Sequence, residues 1–117
     1  MSEIKQLTAK IKAFRDARDW KQFHNHKDIA LSLVLEASEV LEHFQWKSPK
    51  EVEEHGIQAK DELADELADV AMYLFELADN LKIDLPKAML NKMKKMLSNT
   101  PCTKRRVNIL NTINFKI

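Results

Sequence analysis

The feature that most constrains this chain is an apolar stripe through residues 58–81, where Leu63, Leu67, Val70, Leu74, Leu77 and Leu81 recur at spacings of three and four. That period belongs to one face of an α-helix, not to the alternation of a strand. A single Gly and three Pro in 117 residues, with Ala, Leu, Lys and Glu abundant, favour helix elsewhere too, so the expected class is all-α. A chain of this length forms one domain around one core.

Three further helices are expected. Ile4, Leu7, Ile11 and Phe14 make a stripe in a first helix over about residues 2–20. Asp28 is placed to cap a second over about 29–44. Asp84 as cap and Pro86 in the first turn open a last one, running to about residue 97. "QWKSPKEVEEHG" reads as a connection, because Pro49 resists helix continuation and Gly56 marks a break. The expected protomer is a four-helix bundle. Its second helix is apolar nearly all round, which one copy cannot cover, so a homodimer or dimer of dimers is expected.

Composition closes several functional classes. No apolar run approaches the roughly 18 residues of a membrane span, and the polar N-terminus "MSEIKQLTAK" does not resemble an export signal. Cys102 is the only cysteine, so no intrachain disulfide or thiolate zinc cluster can form, and a cytoplasmic location is expected. One Gly rules out a glycine-rich phosphate loop. No His lies three residues after a Glu, which removes the di-iron bundle pattern. Ser32, Ser38 and Cys102 have no recognisable triad context.

Charge is unevenly spread. Up to Asp84 eighteen acids face eleven bases, a net −7; beyond it come eight bases and no acid, a net +8. A basic tail suits nucleic acid or simply solvent, and solvent is the commoner use.

The chemistry concentrates in two acid pairs, Glu36 with Glu39 in "EASEV" and Glu66 with Asp69 in "ELADV". At about 100° per residue the members of each pair stand some 60° apart, on one helix face. Ile29 projects about 20° and Val40 about 40° from Glu36, so the acid borders an apolar strip. Burying unpaired like charges costs several kcal/mol unless a proton or cation joins them. Oxygen ligands on two helices suit Mg²⁺ or Mn²⁺, ions that serve phosphate chemistry. A solvated acidic face is the plainer explanation of either pair alone.

The segments "FHNHKDIALSLVLEASEVLEHFQW" and "DELADELADVAMYLFELADNLKIDLPKAMLNKM" resemble the all-α nucleoside triphosphate pyrophosphohydrolases, the MazG-like group, and its dCTP pyrophosphatase branch in particular. The family pattern is E-x-x-E followed by E-x-x-D on the next helix. The resemblance implies Mg²⁺-dependent hydrolysis of a (deoxy)nucleoside triphosphate to the monophosphate and pyrophosphate. Glu36, Glu39, Glu66 and Asp69 would hold the metal, and Glu39, with Glu36 beside it, would serve the attacking water. It further implies that Trp20, His24 and Trp46 enclose the base and that Tyr73 reaches a phosphate or sugar. Lys27, Lys60 and Lys92 are candidate phosphate contacts. A helical nucleic-acid or protein-binding module, and a metal-binding member with impaired catalysis, are the alternatives.

The family closes with K-M-x-x-N-x-x-K-Y-P, whereas this chain reads "KMKKMLSNTP": Met96, Asn99 and Thr100 stand where Asn, Lys and Tyr are expected. "MKKM" can be encoded with an A-tract, and one added A lets the same nucleotides read "MKKNAIKYP", restoring the motif. The reading is therefore a catalytic domain over residues 1–97 followed by an atypical basic tail, 98–117; a single-base loss that changes the sequence from Met96 onward is the hypothesis for its origin, and a genuine evolved tail with its own packing role is the alternative. The codons of the gene decide it.

Overall fold

The structure, a computed structural model, describes residues 2–18 and 25–98. Five helices occupy them: α1 (Glu3–Ala17), α2 (His26–Glu42), α3 (Pro49–Gln58), α4 (Lys60–Asn80) and α5 (Leu85–Ser98). The described residues contain no strand, as an all-α class requires.

The count of four was one short. The stretch read as a connection is α3, because Pro49 stands in the first turn, where its missing N–H has no partner to lose. Ser48 accepts from the Glu51 backbone N–H while the Glu51 carboxylate accepts from that of Ser48, a complete capping box. Gly56 lies inside this helix rather than ending it. The second helix also begins earlier, on Asn25 instead of Asp28, with Asn25 Oδ1 accepting from the Asp28 N–H at 2.9 Å. At α5 the expected cap is found: Asp84 Oδ1 accepts from the Lys87 N–H at 3.1 Å.

Residues 1–82 form one compact unit and residues 83–117 a second, of which α5 is the described part. In the first unit α4 is the central element, packed most extensively on α2 and also on α1 and α3. Its core includes Ile29, Leu63 and Ala78. Lys12 pairs with Asp79, and Arg15, one turn on, pairs with Glu76, one turn back. This register makes α1 antiparallel to α4. Apolar surface remains uncovered on α2, where Leu31, Val34, Leu35 and Leu41 are all exposed.

Candidate active site

On α4, Glu66, Asp69, Tyr73 and Glu76 follow one another at intervals of three and four, forming a single row along the helix. The two ends of that row are treated differently. Glu76 is buried and meets Arg15 Nη1 at 3.1 Å, with both side chains almost fully enclosed. Glu66 and Asp69 instead face Glu36 of α2. Partial burial, first, and then the Glu39 carboxylate, its contact with Glu36, and the charges of Asp69 and Glu66 push the Glu36 carboxyl above its ordinary range. The four acids that the sequence singles out thus sense one another across α2 and α4. Carboxylates gathered this way repel one another, and a cation between them relieves that repulsion.

Glu36 and Glu66 are half-buried, Glu39 and Asp69 exposed. Among the described residues no three acid, His or Cys side chains are drawn into a closed coordination sphere, so binding an ion requires rotamer changes of these carboxylates. The donor set nevertheless fits a hard divalent cation. Glu66 Oε2 is buried and makes no hydrogen bond of good geometry, and its close neighbour is an imidazole.

His43 stands behind this oxygen. Its Nε2 approaches Glu66 Oε2 to 2.5 Å, and its Nδ1 lies 2.7 Å from His55 Nε2. Sequence reasoning passed over both histidines. They are twelve residues apart on different elements, and only the fold brings them together.

Beside the acids, between α1 and α4, lies a cavity of about 280 Å³ lined by Ile11, Phe14, Arg15, Asp69, Met72, Tyr73 and Glu76. Asp69 and Tyr73 therefore share a wall with the buried ion pair. The other expected substrate contacts are more scattered. Trp20 and His24 fall outside the described residues. Trp46 follows α2 with φ 69° and its ring 92% exposed, a left-handed backbone that disfavours a bulky residue. Lys27 and Lys60 are exposed, and Lys60 sits about 120° and 180° around α4 from Glu66 and Asp69, off the acid face. Lys92 is exposed on α5.

A helical protein whose central pair of helices opposes two carboxylate pairs is the architecture of the all-α pyrophosphohydrolases. The chain belongs to the MazG-like family, whose model matches residues 31–108. It is 41% identical over 95 residues to dCTP pyrophosphatase 1 of Rattus norvegicus and 40% identical over 95 residues to that of Homo sapiens, in each case across 80% of this chain and 54% of the relative. The chain thus spans about half the length of those relatives. Its fold is similar to that of a pyrophosphatase from Archaeoglobus fulgidus, with a TM-score of 0.82 and 35% identity, covering 87% of this chain and 95% of that one. No helix among the described residues is long and apolar enough to cross a membrane.

Proposed function

We propose that this protein hydrolyses a (deoxy)nucleoside triphosphate, dCTP or a close analogue, to the nucleoside monophosphate and pyrophosphate, as a cytoplasmic enzyme of nucleotide-pool housecleaning. What supports the reading is the packing of α2 on α4, which brings the charges of Glu39, Glu66 and Asp69 to bear on Glu36, in a member of the MazG-like family. These four residues hold Mg²⁺, or Mn²⁺ in its place. When bound, the ion supplies charge neutralisation on the phosphates and a more acidic water.

The chain's own residues do the rest. Glu39, the exposed member of its pair, accepts a proton from water while Glu36 beside it orients the carboxylate. The water oxygen bonds to the α-phosphorus, the bond from that phosphorus to the bridging oxygen breaks, and pyrophosphate departs with the electron pair. The base occupies the cavity beside Asp69, with Phe14 and Tyr73 as aromatic walls. By family resemblance Trp20, His24 and Trp46 complete the enclosure, and Lys27, exposed in the first turn of α2, is a candidate phosphate contact. The exposed apolar side chains of α2 support a homo-oligomer, which sedimentation detects.

The test is a nucleotide panel with Mg²⁺, assayed for pyrophosphate. Glu39→Gln is expected to lower kcat by about 10²–10⁴. Orthophosphate as the sole inorganic product contradicts attack at the α-phosphorus. A metal-binding but impaired member is the second reading, favoured by Met96 where the family carries Asn. Full Mn²⁺ binding without turnover on any nucleotide distinguishes it.

A further inference from the structure

We infer that His43, backed by His55, is a positioning residue that holds Glu66 for its metal ion; the inference rests on the metal reading above. His43 is the residue that ends α2, and its ring is 12% exposed beside a Glu66 side chain that is 25% exposed. A carboxylate only accepts, so the proton facing Glu66 belongs on His43 Nε2. In that tautomer Nδ1 is bare and accepts from His55 Nε2–H across 2.7 Å. Every proton in this chain points the same way, from α3 through the end of α2 to the carboxylate on α4. Aromatic packing fixes the second ring: the His43 and His55 centroids are 5.0 Å apart, and Phe44 meets His55 edge-on at 6.0 Å.

The three groups are not themselves a metal site. Ligands on a tetrahedral zinc with bonds of about 2.0 Å are roughly 3.3 Å apart, whereas these atoms are separated by 2.5 and 2.7 Å. Nor does one N–H exhaust the carboxylate it approaches, whose two oxygens offer about four lone-pair sites. The ring restrains the carboxylate while leaving lone pairs for an ion, the usual part of a group standing behind a metal ligand.

Mn²⁺ titration of the nucleotide-free protein, read by the electron paramagnetic resonance of free Mn²⁺, tests this. His43→Leu is expected to weaken binding by about 10–100-fold. His43→Gln, whose amide nitrogen reaches the place of Nε2, restores most of the loss; His43→Asn, polar but short, does not. The nucleotide KM at saturating metal stays unchanged in all three. Circular dichroism identifies the folded variants, and Asn keeps the test open if Leu unfolds the chain. Wild-type Mn²⁺ affinity in a folded Leu or Asn variant overturns the role of His43. A wild-type protein that binds no Mn²⁺ overturns the metal reading itself, and this inference with it.

Discussion

One helix meets two partners in opposite electrostatic styles. Where α4 meets α1, its acids are answered from within the chain: Glu76 by Arg15, both buried, and Asp79 by Lys12 in a partly exposed pair. Where α4 meets α2, acid faces acid, and the Glu36 carboxyl is driven above its ordinary range. Asp69 and Glu76 are separated by only about 10 Å along the helix axis, so the contrast is local and cannot be assigned to overall charge. The first contact is complete as folded. On the proposed reading the second is completed by a cation from solution.

The sharpest way to break this comparison is to remove the internal answer. Glu76→Ala leaves the buried Arg15 guanidinium with the half-exposed Asp16 carboxylate at 3.3 Å beside it, so a loss of about 3 kcal/mol, the low end for a broken buried pair, is expected in denaturant unfolding. Replacing both partners with Met should recover most of it. A loss below 1 kcal/mol for Glu76→Ala would put this pair in the class of the exposed Lys12–Asp79 contact. Next comes the external answer: Mg²⁺ or Mn²⁺ at a hundred times its dissociation constant should stabilise the protein by about 2.7 kcal/mol. Chelation should reverse the rise in Tm, and Glu66→Gln should abolish it.

Smaller effects belong to α3, which carries His55 to the acid side. Ser48→Ala removes its cap and should destabilise the protein by about 1 kcal/mol. Hydrogen bonds from Ser48 hold the Glu51 carboxyl below its ordinary 4.5. The unfolded chain therefore takes up the proton more readily. The stabilisation is fully present above pH 4.5 and disappears as pH falls through the lowered value. An acid titration followed by circular dichroism should show that dependence in wild type, reduce it in Ser48→Ala, which keeps the backbone donor to Glu51, and lose it in Glu51→Gln. Smallest is Gly56→Ala: an added Cβ meets nothing within 4 Å, so a gain of about 0.5–1 kcal/mol is expected from helix propensity and chain entropy. A loss instead would mean that α3 needs the glycine's freedom.

The periodic stripe of α4 and the two acid pairs were legible in the sequence because each is a local pattern, readable from spacing on one helix. The helix α3 was legible too, through the S-x-x-E of Ser48 and Glu51, but Pro49 and Gly56 were weighed as breakers. A proline in the first helical turn starts a helix, and an isolated glycine only weakens one. The contacts that distinguish the two faces of α4 had no local signal. Arg15 and Glu76 are 61 residues apart, and only the antiparallel register of α1 and α4 makes them neighbours. His43 and His55 lie on opposite sides of a turn whose path spacing does not reveal. Trp46 was recognisable as an aromatic of the resemblance, while its left-handed backbone was not.

Ala59 is all that divides α3 from α4, ending one helix and opening the next with φ −104° and ψ 27° and no side-chain cap. So short a joint makes the angular phase of α3 a dependent variable of α4. Inserting one residue there would swing α3 by about 100° and carry His55 out of line with His43, while the quartet on the two longer helices kept its place. Chain length at a single alanine, rather than any group bearing charge, thereby governs whether the acids have a brace behind them.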